Sequence, residues 1–200
     1  DVAISTNWPT IIPKEILTTF EYGILNAHAG DLPRYRGNAA PNWAIINGDD
    51  KVVVTIHKMV TKLDAGPILL QEEFQLNSET TIGDIYDFLY STVPYLFADA
   101  VDGLTNGDIE TKHQPDDPNQ ILRAYPRRPK DSELNWERSA EYLDRIVRAS
   151  SDPFFGAFTY IGTQKLRVWS SHVEQPAFQY LGTPGQVAEI RSEKGEVAVI

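Results

Sequence analysis

An apolar run, Tyr22-Gly23-Ile24-Leu25, ends on Asn26-Ala27-His28. A strand-like run, Asp1 to Ser5, precedes it and is broken by Asn7-Trp8-Pro9. Between the two, Pro13 is well placed as the first residue of a short helix, Pro13 to Phe20. Strand, short helix, strand predicts a βαβ unit and a parallel sheet of the α/β class. Ligands of such sheets gather outside the carboxyl ends of the strands. Asn26 and His28 fall at such an end. Residues two apart in a strand share a face, so a carboxamide and an imidazole are presented side by side.

More polar chemistry follows closely. Leu32-Pro33-Arg34-Tyr35-Arg36-Gly37 reads as a rigid basic turn. Thr55-Ile56-His57 lies in a strand-like run, Val52 to Met59, and Leu63-Asp64-Ala65-Gly66 comes next. Asp64 sits in a Gly-ended loop that can fold back to orient an imidazole. Each piece also has a plainer reading. An isolated Asn at a strand end is more often a turn residue, a lone His a satisfied polar group, and an Asp before Ala-Gly a turn-former. Spacing and placement favour the functional reading for Asn26 and His28.

Together these pieces resemble the folate-dependent formyltransferases, in order and in approximate gaps. The shared elements are Asn-x-His at 26–28, Leu-Pro-x-x-Arg-Gly at 32–37, Thr-x-His at 55–57 and Leu-Asp-x-Gly at 63–66. The resemblance continues at Arg127-Arg128-Pro129, Asp131-Ser132, Trp136, Val147-Arg148-Ala149 and Gly156-Ala157-Phe158, and so covers most of residues 1–170. Two positions depart from it. Gly30 stands where members often have Ser, and Val53 where they often have Gly. Both bear on substrate contacts rather than on the Asn-His-Asp set.

The resemblance implies a partial Rossmann-like parallel sheet whose N-terminal part is missing, followed by a small β-barrel-like C-terminal domain. It implies a catalytic part over residues 1–110, a linker over 111–135, and a helix plus small β domain over 136–200. It implies transfer of a formyl group from 10-formyltetrahydrofolate to a primary amine, with Asn26, His28 and Asp64 catalytic and no metal. An amide donor and an imidazole suit an oxyanion and a mobile proton. Folate contacts are expected at Trp8, His57, Leu63 and Gly66, and substrate contacts at Gly30, Arg34, Tyr35 and Asn38. For His57, packing beneath the sheet on a backbone partner is an equal alternative; for Trp8, a plain core role is. Arg34 and Arg36 are either solvated turn charges or phosphate contacts. His113 and His172 lack ligand-spaced partners.

Charge narrows the partner. Residues 1–110 hold 6 Lys and Arg against 16 Asp and Glu, while residues 111–200 hold 12 of each. All of the net −10 lies in the half with the site motifs, which disfavours a nucleic-acid partner. The stretch Asn38 to Trp43 looks most like members acting on amino-sugar nucleotides, the preferred acceptor. Initiator methionyl-tRNA is the alternative, and a non-catalytic folate-binding module of the same fold a further one. A dinucleotide oxidoreductase would need a Gly-x-Gly-x-x-Gly after a strand, which is absent here. The chain has no cysteine, which suits a reducing, cytoplasmic setting. No apolar run approaches the roughly 20 residues that span a bilayer. A homodimer is compatible with the family.

The remaining elements follow from periodicity. Pro41 to Asn47 predicts a short helix, Pro67 to Phe74 a strand, and Ile82 to about Leu104 a helix kinked or divided at Pro94. Glu137 to Ser150 predicts an amphipathic helix. Strand-like runs at Ala157 to Ile161, Lys165 to Ser170, Gly185 to Ile190 and Val197 to Ile200 complete the reading.

Overall fold

The computed structural model describes residues 1–200 except 9, 176–179 and 192–195. Strand β1 (Ala3–Ser5), helix α1 (Lys14–Leu17) and strand β2 (Ile24–His28) form the opening βαβ unit, and β1 pairs with β2 in parallel. A two-residue strand β3 (Arg36–Gly37) leads to helix α2 (Ala40–Asn47). Gly48, at φ 80, closes that helix in the left-handed conformation that glycine adopts most readily.

Strands β4 (Lys51–Lys58) and β5 (Ile68–Gln75) complete a four-stranded sheet in the order β1-β2-β4-β5. The sheet is mixed. Parallel pairing is confined to β1 and β2, because β4 runs antiparallel to β2 and β5 antiparallel to β4. The segment between β4 and β5 contains no helix, and a parallel neighbour would require a longer crossover.

Helix α3 (Ile82–Asn106) covers one face of this sheet. Its start is fixed by a reciprocal cap. The Asp84 amide donates to Thr81 Oγ1 at 3.3 Å, and the Thr81 amide donates to Asp84 Oδ2 at 2.7 Å. Leu96, Phe97, Ala100 and Leu104 pack with Leu25, Val54, Ile56 and Leu69 of the sheet. The helix continues through Pro94 rather than dividing there. Proline cannot donate to the carbonyl four residues earlier, that of Tyr90. Tyr90 is exposed, so that carbonyl lies on the solvent side, while apolar packing holds the turns on either side.

Two short backbone pairings tie residues 111–135 to the preceding fold. Lys112 exchanges backbone hydrogen bonds of 2.8 Å with Ile68, and strand β6 (Arg123–Ala124) pairs in parallel with β3. Helix α4 (Ala140–Arg148) follows. Its Ile146 and Val147 share a core with Ala44, Ile45 and Ile46 of α2 and with Ile82 and Ile85 of α3. Among the described residues the remaining strands form two antiparallel ribbons, β7 (Ala157–Ile161) with β8 (Gln164–Val168), and β9 (Val187–Arg191) with β10 (Glu196–Val199). Among the described residues no helix is long and apolar enough to cross a membrane.

Candidate active site

Strand alternation sorts β2 into two faces. Leu25 and Ala27 face α3; Ile24, Asn26 and His28 face away from it. The register carries that second face across the sheet. Asn26 pairs with Ser5 on one side and with His57 on the other, and His28 pairs with Thr55. A carboxamide, two imidazoles and two hydroxyls therefore lie on the face turned away from α3.

The loop between β4 and β5 brings Asp64 onto this face. Asp64 has φ 48, a left-handed conformation that Asp tolerates better than most residues. Its Oδ2 accepts from the Gly37 amide at 2.8 Å. Gln114 latches the same loop, donating to the carbonyls of Asp64 at 2.9 Å and Gly66 at 2.7 Å. The carboxylate then stands between the two rings. Asp64 Oδ2 lies 3.7 Å from His28 Nδ1, and Asp64 Oδ1 lies 3.8 Å from His57 Nε2. The rings meet edge to face with centroids 6.3 Å apart.

Backbone carbonyls fix which ring nitrogens carry protons. The Tyr35 carbonyl can only accept, so His28 Nε2 donates to it, at 2.7 Å. In the neutral ring the free base of His28 is thus Nδ1, beside Asp64. The Lys58 carbonyl likewise accepts from His57 Nδ1 at 3.0 Å, which leaves His57 Nε2 to accept from Asn26 Nδ2 at 3.3 Å. His57 is 2% exposed. Burial pushes its imidazole below its ordinary range, aided by nearby His28 and Arg36 and opposed by the Lys58 carbonyl and Asp64.

Residues 1–101 match the family model described as formyl transferase, and residues 127–199 match the formyl transferase C-terminal domain. The chain belongs to the formyl transferase family. Solved structures agree in fold. HypX from Aquifex aeolicus, in complex with tetrahydrofolic acid, is 22% identical with a TM-score of 0.74, over 100% of this chain and 35% of that one. A sugar N-formyltransferase from Shewanella sp FDAARGOS_354 is 22% identical with a TM-score of 0.70, over 87% and 71%. Methionyl-tRNA formyltransferase from Clostridium thermocellum is 20% identical with a TM-score of 0.67, over 100% and 77%. The chain spans about a third of the length of the HypX chains it matches.

The fold gathers Asn26, His28, His57 and Asp64 into one cluster. His57 belongs to that cluster and also has the backbone partner expected of a structural histidine. Gly66, expected to touch folate, is buried against β4. A Cβ there would stand 1.7 Å from the Lys58 carbonyl oxygen, so the position sets backbone approach. Trp8 and Leu63 are 61% and 42% exposed, open apolar surfaces near the strand end and beside Asp64.

Gly30, Arg34 and Tyr35 line a cleft of about 560 Å³ together with Asp31, Asp49 and Lys51. Gly30 is also part of the wall behind His28, where an added Cβ would meet His28 Nε2 at 2.6 Å and the Tyr35 carbonyl oxygen at 2.9 Å. The Tyr35 side chain is buried, with its hydroxyl donating to Asp49 at 2.6 Å. Burial and Asp49 raise that phenol well above its ordinary range. Its part in the cluster is through its carbonyl. Arg34 is half-exposed and 3.5 Å from Asp49. Asn38 is exposed and its amide donates to the Ala124 carbonyl. Arg36 is not a free phosphate contact, because it is 6% exposed and gives Nε and Nη2 to Gln114 Oε1 at 3.0 and 2.7 Å.

Sequence reasoning missed Gln114, which sits in a stretch of polar residues and prolines with no motif to mark it. It also missed the Tyr35 carbonyl and left the backbone partner of His57 unidentified, since acceptors of this kind leave no trace in residue type.

Proposed function

We propose that this chain carries the catalytic centre for formyl transfer from 10-formyltetrahydrofolate to a primary amine. The reading is supported chiefly by Asp64 standing beside His28 Nδ1, with Asn26 on the same face of the sheet. The amine lone pair attacks the formyl carbon, and the carbonyl π pair becomes an oxyanion. Asn26 Nδ2 spends one N–H on His57 and has a second for that oxygen, the kind of aimed donor that carries the largest catalytic effect. His28 Nδ1 takes the proton released by the amine, and the resulting imidazolium is stabilised by Asp64. Collapse breaks the bond from carbon to N10 of the folate, and the pair on N10 takes the proton back from His28. The products are a formamide and tetrahydrofolate. Because His28 Nε2–H is spent on Tyr35, the oxyanion falls to Asn26, and the proton to His28.

The acceptor in this proposal is the amine of an amino-sugar nucleotide. Support comes from the Asn38 to Trp43 stretch and from the acidity of residues 1–110. The catalytic part is residues 1–110, followed by 111–135 and the C-terminal part 136–200. Trp8 and Leu63 offer apolar surface to the folate, while Gly30, Arg34, Tyr35 and Asn38 border the acceptor side. A cytoplasmic setting, where such substrates occur, belongs to the same reading.

The test is a set of three substitutions, Asn26→Ala, His28→Ala and Asp64→Ala, assayed with 10-formyltetrahydrofolate and a panel of amino-sugar nucleotides. Each should lower kcat by about 100-fold or more, the scale of a lost oxyanion donor or general base. Far-ultraviolet circular dichroism should be unchanged. A His28→Ala protein with wild-type turnover would remove the imidazole from the chemistry.

A further inference from the structure

Thr55 opens the Thr-x-His motif, yet the proposed chemistry leaves it without a part. Its side chain is fully buried and stands in register with His28, on the same face of the sheet. Its hydroxyl lies 2.8 Å from the Gly30 carbonyl oxygen and 3.0 Å from the Gln71 carboxamide nitrogen. A carbonyl can only accept, so the single hydroxyl proton goes to Gly30, and Thr55 Oγ1 accepts from Gln71. The order from Gln71 through Thr55 to Gly30 runs one way, so the two bonds polarise each other. The same Gly30 oxygen accepts from the Leu32 amide at 2.9 Å. One carbonyl therefore ties the turn at residues 30–32 to the middle of β4.

That turn bears on where the proton of His28 sits. The Asp64 carboxylate, 3.7 Å from Nδ1, attracts an N–H to the very nitrogen that must serve as base. The Tyr35 carbonyl, 2.7 Å from Nε2, holds the proton on the opposite nitrogen. Two acceptors compete for one proton, and the shorter contact keeps it. Gly30 is wedged at that contact, since a Cβ there would meet His28 Nε2 at 2.6 Å and the Tyr35 carbonyl oxygen at 2.9 Å. A small movement of Gly30 would part the ring from the carbonyl and hand the proton to the Asp64 side. We propose that Thr55 is a positioning residue: by holding Gly30 against the His28 ring, it keeps the neutral imidazole in the tautomer with Nδ1 free. It touches no substrate in this role. The inference rests on the proposed role of His28 as the base.

Thr55→Val keeps the branched shape and removes the hydroxyl. The Gly30 carbonyl retains its Leu32 partner, and Gln71 is exposed, so its amide can turn to water. In the formyl-transfer assay kcat should fall about 3- to 10-fold, the weight of one ordinary hydrogen bond, with KM for folate unchanged. Thr55→Ser should recover most of the loss, and Thr55→Val should add nothing in a His28→Ala background. The ring ¹⁵N resonances of His28 report the tautomer without turnover, and in Thr55→Val they should move towards a protonated Nδ1. An unmoved spectrum overturns the inference whatever happens to kcat, and so does wild-type kcat in a protein that transfers formyl groups. Should Thr55→Val fail to fold, Gln71→Met removes the outer donor at an exposed position. It should move the same resonances less far, and no movement would overturn the relay. A protein that transfers no formyl group but shows the tautomer shift refutes the activity and leaves the positioning role of Thr55 in place.

Discussion

His57 shows how much a single buried ring can decide. It must be neutral for Nε2 to accept from Asn26, and burial favours that state. The consequence for stability has a definite sign. In the unfolded chain the ring takes up a proton near its ordinary pKa of about 6.5; in the fold it does so only at lower pH. Between the two the unfolded state holds more protons, so stability rises with pH through that window and is lost as pH falls below about 6.5. Urea midpoints measured from pH 5 to pH 8 should show this slope in the wild type and a shallower one in His57→Gln. Equal slopes would mean that His57 is charged in the fold. At this scale the grouping of Asn26, His28 and Asp64 was legible, because the spacing of their side chains along strand and loop brings them together. The tautomers were not, because carbonyls belonging to Tyr35 and Lys58 set them.

Among the elements, β4 and its following loop carry the heaviest constraint. The Lys58 carbonyl accepts from His57 and lies where any side chain at position 66 would begin. Gly66→Ala would press a methyl group into backbone at 1.7 Å, with no flexible side chain to give way. The loop would lift from β4 and take Asp64 away from both rings. We expect a loss of about 1–3 kcal/mol, the usual cost of overpacking, and turnover reduced as far as in Asp64→Ala. Urea unfolding and the formyl-transfer assay check this, and a Gly66→Ala protein of wild-type stability and rate would contradict it. Element positions were readable in the sequence wherever periodicity and punctuation agree. The prediction of Ala157 to Ile161 matches β7, and Asn106-Gly107 ends α3. Strand direction was not readable, since β4 and β5 pair antiparallel through contacts that no local pattern encodes.

For the whole molecule, charge governs what can approach. Arg36 is bound to Gln114, and Arg127 spends its Nη atoms on Ala149, Asp131, Ser132 and Ser150. The basic surface is therefore smaller than the sequence suggests, and Arg34 is the half-exposed cation of the basic turn. A sugar nucleotide needs only one or two phosphate contacts. The apparent affinity for the acceptor should then fall gently with salt at fixed folate. A log–log slope on the order of −4 or steeper would report several released counterions and move the assignment to a tRNA acceptor.

Gln114 stands outside residues 1–101, the stretch matched by the formyl transferase model, yet it holds the carbonyls on both sides of Ala65. The part of the chain that is easiest to recognise therefore does not contain its own latch. A chimera joined just after α3 would inherit the sheet and the motif residues, but the carboxylate loop would be pinned by whatever the donor supplied at that position. Exchange between relatives keeps Asp64 in place only when residues 112–124 travel with the sheet they close.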